Sequence, residues 1–176
     1  KSGAIRLTSY QLRQLEKAIL EYDREGVPHT HKKYVGKNIS VILGEIGLKV
    51  NPDCRIAFCE VDEDHPFVQT ELLMPVLGLV RAKDVLSAVE MAKRVEHGNC
   101  HTAVMYSKNI DHLHHMAKEI NTSIFVKNAP SFSGLGLGGE GFTSFTIASR
   151  TGEGLTTCRS FSRIRRCTFK DHFRIV

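Results

Sequence analysis

Apolar residues recur at helical spacing in four stretches of the chain, and short unbroken apolar runs follow or separate these stretches. The helical stretches carry Leu12, Leu15, Ile19 and Tyr22; Ile39, Ile42, Leu43 and Ile46; Val85, Val89, Ala92 and Val95; and Leu113, Met116, Ala117 and Ile120. The short runs, which are typical of buried strands, cover residues 55–61, 76–80, 102–106 and 123–127. The pattern therefore predicts four helices and four buried strands.

Capping residues mark where three of these helices begin. Thr8 and Gln11 have the spacing of a capping box, in which each side chain bonds the other residue's backbone N–H. Asp84 precedes the third helical stretch and is a suitable N-cap. Asn109 or Asp111 opens the fourth.

Strands and helices alternate from residue 76 to residue 127. Parallel strands need such crossover connections, and the connecting helices then cover the sheet. The sequence therefore predicts an α/β fold with a twisted, mostly parallel sheet covered by helices. From Thr143 onward the helical period is lost, and residues 145–147 and 162–169 are predicted to be extended arms.

Bulk composition is that of a soluble globular protein. The 176 residues are 41% hydrophobic and 24% charged. We expect no membrane helix, because no apolar run reaches about 18 residues, and no signal peptide is visible. The five cysteines form no CxxC pair, which favours free thiols in a reducing cytoplasm. The first residue is not Met, so we expect the chain to begin inside a longer protein.

The net charge of +5 is concentrated near the end of the chain. The basic residues there are Arg159, Arg163, Arg165, Arg166, Lys170 and Arg174. Such a tail fits a solvated strand face or an anionic partner. No recognition-helix or zinc-finger pattern accompanies it, so we do not expect a nucleic-acid partner.

The glycine stretch GLGLGGEG (residues 134–141) contains the spacing G-x-G-x-x-G at Gly134, Gly136 and Gly139. A dinucleotide fingerprint would open a long helix, whereas the residues that follow are rich in Thr and Phe. Glu140 would also repel a phosphate. A compact structural loop is the favoured interpretation, and a phosphate-binding role is the alternative.

Histidine and cysteine residues raise two further possibilities. His112 and His115 lie one helical turn apart, so they could share a metal, although a solvated helix face is the simpler interpretation. Cys100 and His101 are adjacent, and adjacent residues on a strand point to opposite faces, so they do not form a ready nucleophile–base pair. Either residue alone could line a site. Glu71, just before an apolar strand, is either a solvated strand-end residue or part of a site at the sheet's edge.

An ordered set of short motifs runs through the chain. They are HPFVQTELLMPVL from His65, GNCHTAVMYS from Gly98, TSIFVKN from Thr122, GLGLGGEGFT from Gly134, TGEGLT from Thr151, RRCTF from Arg165 and FRIV from Phe173. From about Leu7 to Val176 this set resembles the CoA-acylating aldehyde dehydrogenases. It is most similar to the propionaldehyde and acetaldehyde dehydrogenases of bacterial microcompartments, of the propanediol- and ethanolamine-utilisation type.

The resemblance implies a two-stage oxidation of a short aldehyde. A cysteine thiolate attacks the carbonyl, and hydrogen-bond donors stabilise the resulting oxyanion. Hydride passes to NAD, and the CoA thiol then cleaves the acyl thioester to give acyl-CoA. The implied cofactors are therefore NAD and coenzyme A, the partners are a small aldehyde and CoA, and the location is the cytoplasm or the inside of a microcompartment.

The resemblance also implies which parts of the enzyme are here. The family's nucleophilic cysteine and NAD domain lie upstream of the matching region, so we expect a catalytic-domain fragment that is inactive alone. We assign residues 1–156 to a partial catalytic domain and residues 157–176 to an arm that joins subunits into a dimer or tetramer.

Four sets of site residues follow from the motif matches. Glu71 matches a glutamate associated with the nicotinamide ribose. His101 matches a histidine near the catalytic cysteine. Asn128 and the glycine stretch, with Gly134, Gly136, Gly138 and Gly139, match the wall of the substrate pocket, although Asn128 fits a packing role as well. No residue is assigned to a metal.

The sequence is compatible with two other functions. The chain is long enough to be a free-standing module that binds a nucleotide or CoA without catalysis. A self-contained thiol enzyme would use Cys100 or Cys158 as its nucleophile.

Overall fold

A computed structural model of the protein describes residues 3–139, 144, 147–148 and 154–170. Parts of several predicted features lie outside these residues: Glu140 and Gly141 of the glycine stretch, the motif residues 151–153, Phe145, and residues 171–176 of the predicted arm. Backbone contacts divide the chain into two units, one ending at Met91 and one beginning at Ala92. The predicted boundary at residues 156 and 157 stays a prediction.

Three parallel strands organise the first unit. In chain order its elements are β1 (Ala4–Arg6), α1 (Ser9–Ile19), β2 (Leu20–Tyr22), β3 (Pro28–Thr30), α2 (Ile39–Gly44), β4 (Ile56–Glu60), α3 (Pro66–Gln69) and β5 (Val76–Leu79). The strand order is β1-β4-β5, and both pairs are parallel, as the sequence predicts. A further helix, α4 (Val85–Val95), follows β5.

One face of this sheet forms the core of the first unit. Ala57, Cys59 and Val76 are buried on that face. They join the buried apolar side chains of the helices, which are Leu15, Ile19, Ile39, Ile42, Leu43 and Phe67. The helical spacing in the sequence identified Leu15 and Ile19 of α1 and the three residues of α2, whereas α3 with Phe67 was not predicted.

The capping box at the start of α1 is confirmed. The Gln11 N–H donates to Thr8 Oγ1 at 3.3 Å, and the Thr8 N–H donates to Gln11 Oε1 at 2.9 Å. The predicted place of Tyr22 on this helix is wrong, because the chain becomes extended at Leu20 and pairs with β3 in an antiparallel hairpin. The Tyr22 hydroxyl reaches back to donate to Glu16 at 2.9 Å.

The second unit also has a parallel pair of strands. In chain order it contains β6 (Thr102–Met105), α5 (Ile110–Ile120), β7 (Ile124–Lys127), and the short antiparallel pair β8 (Ile147–Ala148) and β9 (Gly154–Leu155). Asn109 is the N-cap of α5, since its Oδ1 accepts from the Asp111 and His112 N–H groups at 2.9 and 3.3 Å. The α/β prediction is confirmed, although the described strands form separate sheets rather than one.

The basic segment near the end of the chain has no helix or strand at residues 162–169. Its apolar side chains Ile164 and Phe169 are largely exposed. A role of this segment in joining subunits stays a prediction. Among the helices that the structure describes, none combines the length and apolar character needed to cross a membrane.

Candidate functional site

Glu71 lies in an extended segment between α3 and β5. The Thr30 hydroxyl, at the end of β3, donates to the Glu71 carbonyl oxygen at 2.9 Å. The Gly36 N–H donates to the Leu73 carbonyl oxygen at 3.0 Å, which fixes the same segment two residues later. The Glu71 side chain is exposed and forms no ion pair with a described residue. The backbone at Glu71 is therefore held at a fixed place, and the exposed carboxylate is accessible to a ligand.

The backbone beside Glu71 is strained. Leu73 has a φ of 52°, in the left-handed region, which costs a leucine roughly 1–2 kcal/mol. The turn leaves Leu72 buried in the core and Leu73 exposed. Pro75 then leads into β5. The hydrogen bonds from Thr30 and Gly36 to this segment offset the strain and keep the Glu71 position defined.

His101 lies just before β6, on an exposed stretch of chain. Its Nδ1 is 2.8 Å from Thr102 Oγ1, and its backbone N–H donates to Glu96 Oε1 at 3.1 Å. Nε2 has no partner among the described residues. When the Nδ1–H donates to the threonine hydroxyl, Nε2 carries the lone pair and can accept a proton. Thr102, which motif matching did not single out, thus orients the His101 ring.

The sequence analysis placed Cys100 and His101 on a strand, and this placement is wrong, because β6 begins only at Thr102. Cys100 has a φ of 54°, so the chain turns there rather than alternating. No described base is hydrogen-bonded to the Cys100 thiol. The conclusion that the two residues do not form a ready dyad therefore stands on this geometry.

Asn128 directly follows β7 and uses both ends of its amide. Oδ1 accepts from the Ser107 N–H at 2.7 Å, and Nδ2 donates to the Ser107 carbonyl oxygen at 2.8 Å. Its backbone N–H donates to the Met105 carbonyl oxygen at 2.9 Å. Asn128 therefore fastens the carboxyl ends of β6 and β7 to each other, which supports the packing role more than direct contact with substrate.

The glycine stretch packs against β7. A short 3-10 helix, Ser131–Leu135, ends at Gly136, whose φ of 91° suits glycine. A side chain at Gly134 would overlap those of Ile124 and Val126, and one at Gly139 would overlap the Ser133 carbonyl oxygen. These are the close backbone approaches expected of a compact loop. Gly138, with a φ of 71°, also adopts a conformation that glycine favours.

The candidates in the second unit occupy both ends of the β6–β7 pair. His101 lies at the amino end, where its carbonyl oxygen accepts from the Ile124 N–H at 3.1 Å, and Gly134 packs on the Ile124 side chain. Asn128 lies at the carboxyl end, about 13 Å away for four residues of extended strand. The structure thus brings His101 and Gly134 to Ile124, and Gly134 also packs on Val126, two residues before Asn128. Glu71 belongs to the first unit.

The five thiols are free and differ in accessibility. Cys59 is buried, and this desolvation raises the pKa of its thiol, which makes it a poor nucleophile. Cys54 is half-buried and its Sγ donates to the Ile56 carbonyl oxygen. Cys158 and Cys167 are exposed. In the part of the chain that the structure describes, no thiol is hydrogen-bonded to a base.

The histidines of α5 do not assemble a metal site. Within residues 3–139, 144, 147–148 and 154–170, no three His, Cys, Asp or Glu side chains are placed to hold a metal ion. His114 is exposed, and His112 and His115 are half-buried. The nearby Glu119 instead accepts from Lys93 Nζ at 2.8 Å, and this bond holds the pKa of its carboxyl below the usual value.

Two open clefts lie in the first unit, and neither contains a predicted site residue. A cleft of about 770 Å³ is lined by residues 3–5, 49–51 and 53–55. A second, of about 380 Å³, lies at the carboxyl ends of β4 and β5 and is lined by residues 60–63, 80, 81 and 91. Because Glu71 and His101 lie on exposed segments outside both clefts, neither cleft serves as the candidate active site.

Comparison with known proteins defines the class of this fold. The aldehyde dehydrogenase family profile matches residues 15–155. The match covers most of the chain, which therefore belongs to the aldehyde dehydrogenase family.

Three relatives show the particular branch to which the chain is similar. The acetylating acetaldehyde dehydrogenase EutE of Escherichia coli (strain K12) is 47% identical over 174 residues, which are 98% of this chain and 37% of that protein. A Rhodopseudomonas palustris propionaldehyde dehydrogenase, solved with bound CoA and an acylated cysteine, is 46% identical with a TM-score of 0.86, over 96% of this chain and 38% of that one.

The third relative is a propionaldehyde dehydrogenase from the Clostridium phytofermentans fucose utilisation bacterial microcompartment. It is 43% identical with a TM-score of 0.85, over 100% of this chain and 39% of that one. The chain thus spans less than two fifths of the length of each of these relatives.

Proposed function

We propose that the chain is part of a CoA-acylating aldehyde dehydrogenase that converts acetaldehyde or propionaldehyde, NAD and CoA into acyl-CoA, NADH and a proton. The observation that carries this proposal is 47% identity to an acetylating acetaldehyde dehydrogenase over 98% of the chain. The Rhodopseudomonas palustris relative, with its bound CoA and acylated cysteine, supports the same chemistry. The reacting thiol is proposed to belong to a part of the enzyme outside this chain, because the resemblance places the family's nucleophilic cysteine upstream of the matching motifs.

His101 is proposed to move a proton during the reaction. Its Nδ1 is held by Thr102 at 2.8 Å, and its Nε2 has no described partner, which is the arrangement of a base with a fixed ring orientation. The proton to be taken is that of a reacting thiol, either the enzyme's cysteine or CoA. Thr102 is the positioning residue in this proposal.

Glu71 and the glycine stretch are proposed to bind rather than to react. An exposed carboxylate on a fixed stretch of backbone, with no described ion pair, suits hydrogen bonds from the nicotinamide ribose hydroxyls. The close packing of Gly134 on β7 suits a loop whose backbone forms the wall of the substrate pocket. Asn128 then acts on this wall indirectly, by fixing where the chain leaves β7.

The basic segment is proposed to join subunits into a dimer or tetramer. Its alternating basic and apolar side chains are exposed at Phe161, Ile164 and Phe169, which suits a strand that pairs with the sheet edge of another subunit. The cytoplasm, or the inside of a bacterial microcompartment as for the Clostridium phytofermentans relative, is the proposed location.

An assay of NADH formation tests the proposed function. The chain is compared with a chimaera in which it replaces the matching region of the Escherichia coli relative, and both receive aldehyde, NAD and CoA. We expect turnover by the chimaera and none by the chain alone. Turnover by the chain alone would instead support a self-contained thiol enzyme, and an inactive but folded chimaera would contradict the proposed function.

The alternative of a free-standing binding module rests on the open cleft of about 770 Å³, which includes Lys49 and Arg55. Cationic side chains in a cleft of this size suit an anionic cofactor. This alternative predicts that the chain alone binds CoA or NAD in a calorimetric titration, and that the Lys49→Ala substitution abolishes the heat of binding.

A further inference from the structure

The turn between α4 and β6 has a strained backbone. Three of the four residues from His97 to Cys100 lie in the left-handed region, with φ values of 54° for His97, 69° for Gly98 and 54° for Cys100. Of these, only glycine adopts the conformation without strain. Because the turn leads directly into His101, the contacts that keep His97 and Cys100 in this conformation also set the place of the proposed base.

Glu96 holds both ends of this turn. Its Oε1 accepts from the His101 N–H at 3.1 Å. Its carbonyl oxygen accepts from the Asn99 N–H at 3.1 Å and from Asn99 Nδ2 at 3.0 Å. A hydrogen bond to a carboxylate is stronger than one between neutral groups. The bond from His101 to Glu96 therefore offsets part of the strain in the turn.

The position of Glu96 is unfavourable for the helix that it follows. It comes directly after the last residue of α4, where the helix macrodipole places partial negative charge. Basic residues are preferred there, and Lys93 and Arg94 in the last turn follow that preference. A carboxylate at this helix end, next to strained residues that are not glycine, breaks local preferences more than once. Such departures are expected where function rather than stability fixes the residue.

Three separate contacts fix His101. The Thr102 hydroxyl holds Nδ1 of the ring at 2.8 Å, and the Ile124 N–H of β7 donates to the His101 carbonyl oxygen at 3.1 Å. Glu96 holds the remaining backbone group, the N–H. Without Glu96, the peptide bond between Cys100 and His101 is free to rotate, and Cys100 leaves its strained conformation. That rotation moves the His101 ring even when Thr102 is intact.

We propose that Glu96 is a positioning residue for His101, whose carboxylate keeps the turn in the conformation that places Nε2 for proton transfer. The inference rests on the proposed function, in which His101 takes the proton of a reacting thiol. Glu96 acts here only as a hydrogen-bond acceptor, so the side-chain oxygen of glutamine can replace it. A shift of about 1 Å in a catalytic group costs roughly 10²-fold in rate.

A double-mutant cycle in the chimaera with the Escherichia coli relative tests whether Glu96 acts through His101. Glu96→Ala is expected to lower kcat about 10–100-fold, with the KM for aldehyde changed less than about threefold. In the His101→Gln background the same substitution should lower kcat less than about threefold, because the group that Glu96 positions is gone. Equal fold losses in the two backgrounds would overturn the proposal, since Glu96 would then act independently of His101.

Two further variants separate positioning from a general loss of stability. Glu96→Gln keeps the acceptor oxygen and should retain kcat within about threefold. Asp84→Ala is the matched control at the other end of α4, where Asp84 Oδ1 accepts from the Ser87 N–H at 2.7 Å. Its loss should lower the Tm and leave kcat unchanged. A Glu96→Gln variant as slow as Glu96→Ala would overturn the proposal, as would an Asp84→Ala variant that is equally slow.

The same measurements distinguish this proposal from the proposed function. Turnover by the unsubstituted chimaera, with an unchanged kcat for Glu96→Ala, would refute the positioning role alone. A folded but inactive unsubstituted chimaera would refute the proposed function and the positioning role with it. Glu96→Asp, whose carboxylate is one methylene shorter, takes the place of Glu96→Ala in the cycle if the alanine variant does not fold, and the same losses are expected.

Discussion

The side-chain amide of Asn128 forms two hydrogen bonds with the backbone of Ser107. Its Oδ1 accepts from the Ser107 N–H at 2.7 Å, and its Nδ2 donates to the Ser107 carbonyl oxygen at 2.8 Å. Asn128 itself has a φ of 54°, a conformation that asparagine tolerates better than most residues. One side chain therefore joins the ends of two parallel strands and sets the direction in which the chain leaves for the glycine stretch.

Substitutions of Asn128 separate the hydrogen bonds from the backbone conformation. Asn128→Gly removes the bonds to Ser107 and keeps the left-handed φ accessible, so we expect a loss of about 1 kcal/mol in the free energy of unfolding. Asn128→Ala also forces an alanine into that conformation, which adds a further cost of roughly 1–2 kcal/mol. Urea denaturation followed by circular dichroism measures both. An alanine variant as stable as the glycine variant would contradict the conformational part of this account.

Gly134→Ala is expected to destabilise the second unit. A methyl group there would overlap the side chains of Ile124 and Val126, and such overpacking costs about 1–3 kcal/mol. Gly44→Ala is the control, since nothing lies within 4 Å of the added methyl group and its φ is not in the left-handed region. Thermal unfolding should show a lower Tm for the first variant and an unchanged or higher Tm for the second. A Gly134→Ala protein with an unchanged Tm would show that the loop can move away from β7.

Asp23 should make the stability of the β2–β3 hairpin depend on acid pH. The hydrogen bond from the His29 ring, together with the backbone N–H groups of Val27 and Glu25, holds the pKa of the Asp23 carboxyl below its usual value. A lowered pKa in the folded state stabilises the fold above the unfolded pKa of about 3.8, and this contribution is lost as the pH falls through the folded pKa.

The matching experiment compares Asp23→Asn with the unsubstituted chain. Asparagine keeps an acceptor for the turn and removes the charge, so the variant should be less stable at pH 6, and the difference should shrink below roughly pH 4. Denaturant unfolding at several pH values gives the result. A stability difference that is constant from pH 6 to pH 2.5 would exclude the charge as its cause.

His101→Gln tests the proposed proton transfer in the chimaera. Glutamine can still bond Thr102 but cannot act as a base, so kcat should fall about 10²–10⁴-fold with little change in the KM for aldehyde. His114→Gln, an exposed histidine on α5, is the control and should leave kcat unchanged. If the two variants lose activity equally, His101 has no special part in the chemistry.

Local signals in the sequence predicted much of the fold. The capping box at Thr8 and the N-cap at Asn109 were predicted because each depends on residues close together in the chain. The parallel pairing of β6 and β7 was predicted because a helical pattern lies between two apolar runs. β1 was missed because three residues are too few to show alternation. The end of α1 was misplaced because Tyr22 happens to continue the helical period.

Contacts between residues that are distant in the sequence limited how much of the site could be predicted. The hydrogen-bond partner of the Asn128 side chain is the backbone of Ser107, 21 residues earlier in the chain. Because the partner is backbone, no side-chain pattern in the sequence predicts this contact. The bond from Thr30 to the Glu71 carbonyl spans 41 residues. The motif matches assigned roles to Glu71, His101 and the glycines, and those roles stay predictions, while the structure shows what holds each residue in place.

The balance of products tests the central claim most directly. The chimaera is supplied with aldehyde, NAD and CoA, and NADH absorbance and acyl-CoA, measured by mass spectrometry, are followed in one reaction. We expect one acyl-CoA for each NADH, and no sustained NADH formation when CoA is left out. NADH accompanied by the free carboxylic acid in place of acyl-CoA would contradict it, because water rather than the CoA thiol would then be cleaving the acyl thioester.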